Sequence, residues 1–178
     1  GYLYNQLRNF RDGRRYYQPI AILLENMSDE YMREIAGYFA SLPYTYPRPI
    51  AHALSSAETR SVETLMDSGD PERDLPACSA CHGKALMGVE PYIPGLLGLP
   101  HAYVAAQFGG WRNGGIMRGQ IPDCMSEIAK KLTQEEVNAL ALWLPSRPLS
   151  GEVAKADTLA AELVQRCRTV VSAEEVTR

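Results

Sequence analysis

The sequence has no run approaching the ~18 consecutive apolar residues that read as a membrane-spanning helix. It has no basic block either. Its 18 Lys and Arg stand against 21 Asp and Glu, a formal charge of −3, so nothing recommends nucleic acid as a partner. Four cysteines are too few for a disulfide scaffold in 178 residues. No segment alternates with period two, so no strand is expected. The first residues, Gly1-Tyr2-Leu3-Tyr4-Asn5-Gln6, lack the apolar core and small-residue cleavage site of a signal peptide, and the reading expects a mature or truncated product. What is present is the composition of a mildly acidic soluble protein, 46% hydrophobic and 22% charged, enough for one domain or two very small ones.

Proline divides the chain. Pro43, Pro47 and Pro49 fall in one short run, and each removes a backbone donor and pushes its predecessor out of helical geometry. Residues 43–56 therefore read as a linker. Before it, Tyr2 to Arg11 places Leu3, Leu7 and Phe10 on one helical face, with Gly13 as a stop. Ser28 caps a second helix with Asp29 and Glu30 in its first turn, where carboxylates suit the helix dipole. Met32, Ile35, Ala36 and Phe39 form its apolar stripe. After the linker, residues 57–68 read as a helix with Val62 and Leu65 inward. Thr133 and Glu136 form a capping box for a helix running to about Leu144. The Ala-rich stretch from Glu152 to Arg178 reads as a helical tail, and the fold class expected is all-α.

A repeat runs through this plan. Tyr2, Gln6, Phe10, Arg11 and Gly13 align at one constant offset with Tyr103, Gln107, Trp111, Arg112 and Gly114. Met27-Ser28-Asp29-Glu30 likewise aligns with Leu132-Thr133-Gln134-Glu135. The first copy is short, and what it lacks is the part that holds the chemistry of the second.

That chemistry is Cys78-Ser79-Ala80-Cys81-His82, the haem-attachment pattern C-x-x-C-H. Two thiols add to the two vinyl groups of a haem, and the histidine that follows is held under the iron as proximal ligand. Structural zinc would need a second ligand pair at similar spacing, which Cys124, Cys167, His52 and His101 do not form. A redox dithiol would need a βαβ setting. Methionine is the usual sixth ligand in electron carriers. Met87 lies too close to His82 to cross the ring, and His101 reads as a surface residue at a helix start. Met125 is favoured, in an irregular Gly- and Pro-containing loop ahead of Thr133, and Met117 is its rival. His52 reads as structural. Cys124 reads as a small buried hydrophobe, with pairing to Cys167 left open.

The repeated Tyr-x-x-x-Gln-x-x-x-(Phe/Trp)-Arg-x-Gly, the C-x-x-C-H and the closing helix after Met27-Ser28 or Leu132-Thr133 resemble the dihaem cytochromes of the cytochrome c4 type. That family carries class I cytochrome c domains in tandem. The resemblance covers roughly residues 1–145. It implies thioether bonds at Cys78 and Cys81, His82 as proximal and Met125 as distal ligand, and the Pro94 carbonyl as partner of the other His82 ring nitrogen. The first copy departs from the pattern, since it has no C-x-x-C-H and carries Ile20 where the second has Met125. The expected organisation is therefore a haem-less partial repeat over 1–42, the linker over 43–56, a haem-binding cytochrome c domain over 57–148, and a tail over 149–178.

The expected function is one-electron Fe(II)/Fe(III) shuttling by a periplasmic carrier with one covalent haem c and no catalysis of its own. Its partners would be redox proteins, a donor dehydrogenase or reductase and an acceptor oxidase, with association to a membrane complex possible without a span of its own. Two alternatives are a docking subunit of a larger oxidoreductase complex and a haem sensor or enzyme with an open sixth position.

Overall fold

The computed structural model describes residues 1–43, 46–114, 124–148 and 163. The proposed tail and Met117 otherwise lie outside the described residues. The expected helical class holds. The chain forms α1 (Tyr2–Arg11), α2 (Gln18–Leu24), α3 (Asp29–Ser41), α4 (Ser56–Asp67), α5 (Cys78–His82), α6 (His101–Arg112), α7 (Cys124–Lys131) and α8 (Gln134–Ser146).

Among the described residues, side-chain caps open three of the eight α-helices. The Ser28 hydroxyl accepts from the Tyr31 amide at 3.1 Å and opens α3. The Thr133–Glu136 capping box opens α8, and a second box, Ser55–Glu58, opens α4. Pro145 sits inside the last turn of α8 instead of beyond it, so that helix outlasts the expected stop at Leu144. Proline costs a helix its bond to the fourth residue back, and in a final turn few bonds remain to lose.

The expectation of no strands needs correcting. Gly88–Val89 (β1) and Ile93–Pro94 (β2) pair antiparallel, with Gly88 opposite Pro94. Strands this short leave no alternation to detect. Gly88 is required here. Its φ is +96°, and a Cβ would stand 2.5 Å from the Ile93 carbonyl oxygen.

Two apolar clusters form. The first joins Tyr4, Leu24, Met32 and Ala36 of α1, α2 and α3. Phe39, expected on the inner stripe of α3, is 57% exposed, and Leu3 of α1 also faces outward. Arg11 closes this unit by reaching the Met27 carbonyl at 3.2 Å and the Asp29 carboxylate at 2.6 Å. The second cluster is larger and centres on α4, α6 and α8, with Val62, Leu140 and Ala141 essentially inaccessible. The two units touch. The Tyr2 amide donates to the Pro91 carbonyl at 2.8 Å, and Arg15 reaches Gln107 of α6 at 2.6 Å. Met32 and Leu140, both buried outright, each contribute on the order of 1.5–3 kcal/mol by leaving water.

Candidate functional site

The site begins at α5, a helix of little more than one turn that holds Cys78, Cys81 and His82. Gly83 ends it at φ +79°, turning the chain toward β1. The β1–β2 pairing then carries Pro94 back to His82. The Pro94 carbonyl lies 2.8 Å from His82 Nδ1, and this bond assigns the proton to Nδ1. Nε2 is left with its lone pair, the state in which imidazole ligates a metal. His82 is 7% exposed, and burial holds its pKa below the ordinary value, the Pro94 contact opposing only in part. Its Nε2 is the ring atom available as a ligand.

Neither Cys78 nor Cys81 is in a disulfide. Burial, then the neighbouring Cys81, pushes the Cys78 thiol up to about 11. A redox dithiol needs the opposite, a depressed pKa that keeps thiolate at neutral pH. Among the described residues no group of three or more His, Cys, Asp or Glu could hold a metal ion. Among the described residues, neither a zinc site nor a redox dithiol finds support at α5.

The thiols and His82 line a cavity of about 240 Å³, and so does Met125. Apolar side chains, among them Leu75, Leu96, Val104, Phe108, Ile128 and Leu140, make up most of its wall. Met125 lies in the first turn of α7 and not in an irregular loop. Met87 does not line the cavity, whereas Met66 of α4, which the sequence reading passed over, does. Met66 sits in the core cluster at 3% exposure, and no spacing from His82 would have singled it out.

A haem fits these residues on the structure's own terms. Two thiols, a histidine with its second nitrogen free and a thioether share one apolar cavity, and soft sulfur with imidazole is the donor set iron accepts. His101 is exposed at the start of α6, with His52 beside it at 6.0 Å between ring centroids, and neither lines the cavity. Cys124, whose pairing the sequence left open, is disulfide-bonded. Cys167 lies outside the described residues.

Sequence reasoning also missed the polar part of the cavity wall. Tyr2, Asn5, Gln6, Asn9, Arg14 and Arg15 of the N-terminal unit line it. The Tyr2 hydroxyl, bonded with Tyr103 and Arg15, is pushed up to about 12, chiefly by burial. The repeated Tyr and Gln positions of the two copies thus meet at this cavity, and a one-dimensional alignment gives no sign of that.

No family model matches the chain. It is 34% identical over 150 residues to a thiosulfate dehydrogenase electron acceptor of Thiomonas intermedia, covering 84% of this chain and 67% of that protein. It is 28% identical over 144 residues to the cytochrome c4 of Pseudomonas aeruginosa, covering 80% and 69%. It spans about two thirds of each of these relatives. Among solved structures, a thiosulfate dehydrogenase from Marichromatium purpuratum superposes with a TM-score of 0.66 at 32% identity, over 83% of this chain and 31% of the other. With the fold, the motif order and these relatives in agreement, the chain belongs to the cytochrome c4-type family of electron-transfer haem proteins.

Proposed function

We propose that this chain carries single electrons through one haem c joined by thioethers at Cys78 and Cys81, with His82 and Met125 as axial ligands. The observation that carries this reading is the His82–Pro94 bond at 2.8 Å, which presents a neutral imidazole to a cavity shared by both thiols and Met125. When bound, the haem supplies a reversible one-electron couple, and a thioether ligand favours its reduced state. The protein does the rest. Pro94 fixes the tautomer and ring of His82, which keeps the donor in place through both oxidation states. Leu96, Val104, Phe108 and Leu140 exclude water, so that little reorganises when charge changes. Residues 57–148 form the working domain, residues 1–42 are a partial repeat packed against it, and 43–56 join them.

The donor we propose is a periplasmic dehydrogenase, with thiosulfate oxidation the first to test, since relatives named as thiosulfate dehydrogenase electron acceptors match over most of this chain. A disulfide at Cys124 suits an oxidising compartment such as the periplasm. Among the described residues no helix is long and apolar enough to cross a membrane. A second reading, a docking subunit in a larger oxidoreductase complex, draws on Ile22, Leu23, Tyr38 and Phe39, each more than half exposed on the N-terminal unit.

The experiment mixes oxidised protein with thiosulfate dehydrogenase and thiosulfate and follows haem reduction by stopped flow. Rapid, saturable reduction supports the proposed donor. Reduction no faster than by thiosulfate alone removes that donor, and covalent haem without a methionine–iron charge-transfer band removes the ligand assignment.

A further inference from the structure

The cavity wall is divided by chemistry as well as by chain. The haem domain supplies mostly apolar side chains, whereas all six residues from the N-terminal unit are polar or cationic. Two of these, Arg14 and Arg15, follow directly on the repeat. The second copy has Gly115 and Ile116 in the corresponding places, so the pair of cations is peculiar to the first copy.

Among the described residues no carboxylate forms a salt bridge with Arg14 or Arg15. The Arg15 guanidinium meets only neutral partners, Gln6 and the Tyr2 hydroxyl on its own unit and Gln107 of α6 at 2.6 Å. Arg14 Nε is buried with no hydrogen-bond partner, and so is the indole Nε1 of Trp111, which lines the same cavity. Buried donors are rarely left unsatisfied, because each forfeits its water without replacement. Two unsatisfied donors, and two cations that no carboxylate pairs among the described residues, line one cavity and suit an anion with several acceptor oxygens.

The geometry points to Arg14 and Arg15 as the partners of the haem carboxylates. This rests on the haem reading above. The two propionates are the only anionic groups of the cofactor, and carboxylates brought partly out of water need cations or hydrogen bonds in exchange. The N-terminal unit is then part of the haem site, and through its charge it sets the reduction potential. Each guanidinium near the iron disfavours the more positive ferric state and so raises the potential.

The test uses the full holoprotein and the variants R14Q, R15Q and R14Q/R15Q, with R60Q as control. Arg60 is exposed on α4 and does not line the cavity, so R60Q makes the same charge change elsewhere. Resonance Raman reads the propionate bending bands, which respond to hydrogen bonding, and potentiometry reads the midpoint. The expected result is a shifted propionate band and a lowered midpoint in each cavity variant, largest in the double one, with R60Q unchanged in both. R14K, which keeps the charge, recovers most of the midpoint. Propionate bands that stay put in all cavity variants, with midpoints no lower than in R60Q, overturn the assignment while leaving covalent haem attachment intact. A parent chain that holds no haem overturns both readings together.

Discussion

Replacing Arg73 with Met strikes a contact that ties the two walls of the cavity together. Arg73 lies in a single 3-10 turn (Pro71–Arg73) just ahead of α5. Its Nη1 and Nη2 donate to the Glu136 carboxylate at 2.9 and 2.7 Å, and Nη1 also reaches the Lys131 carbonyl at 3.2 Å. Its Nε donates to Asp70 at 2.6 Å. Lys131 closes α7, the helix that carries Met125, and Glu136 opens α8. The side chain of Arg73 is 33% exposed and that of Glu136 15%. Well-shielded charged hydrogen bonds contribute ~1.5–3 kcal/mol and exposed ion pairs ~0–1, so this half-buried fork falls between. Loss of Arg73 should cost about 2 kcal/mol. In a protein of this size that is a fall in Tm of roughly 4–8 °C.

The dependence on pH separates this mechanism from lost packing. Arg73 holds the Glu136 carboxyl below its ordinary value of 4.5. A depressed carboxylate contributes stability that is complete above the ordinary value and is lost as pH falls through the depressed one. The gap between parent and R73M should therefore be full at pH 7 and begin to close below pH 4.5. Urea unfolding of R73M, E136Q and the double variant measures it. In E136Q the amide oxygen still serves the Thr133 amide, which Glu136 now caps at 2.8 Å, so the cycle isolates the ion pair. A coupling of about 1 kcal/mol is expected. An additive double variant, or a gap indifferent to acid, would refute the reasoning.

Other outcomes follow from the same structure. Met125→Ala should lower the reduction potential and abolish the methionine–iron band, while Met66→Leu keeps both, as potentiometry and near-infrared absorption will read. Gly88→Ala forces an alanine to φ +96° with its Cβ 2.5 Å from the Ile93 carbonyl oxygen. Such strain costs about 1–3 kcal/mol and shifts the strand that carries Pro94, so Tm and haem-loaded yield should fall together. Met32→Ala empties the centre of the N-terminal cluster, where Met32 is 0% exposed. Hydrogen exchange should quicken through α1 and α3 while α8 keeps its protection, at a cost of roughly 2–5 kcal/mol.

What could be read beforehand was whatever lies close together in the chain. The capping signals at Ser28 and Thr133 are contacts across three residues, and C-x-x-C-H is one turn of helix. Pro94 came from family likeness, and the hairpin that delivers it was invisible because strands of two residues carry no periodicity. Phe39 read as core because its helical spacing is right, yet spacing cannot say whether a neighbour exists to cover it. The helix that begins near Met125 carries no sharp start in sequence. Arg14 and Arg15 escaped notice for a different reason. Their role depends on how one repeat packs on the other, and a repeat alignment compares the copies without bringing them into contact.

The central claim is that the chain holds its haem covalently at Cys78 and Cys81 between His82 and Met125. The direct test is an absorption spectrum of protein made with the c-type maturation machinery, before and after denaturation and acidic solvent extraction. The account predicts one haem per chain that survives extraction, with a methionine–iron charge-transfer band in the native oxidised protein. Haem that washes out, or none bound at all, would contradict it.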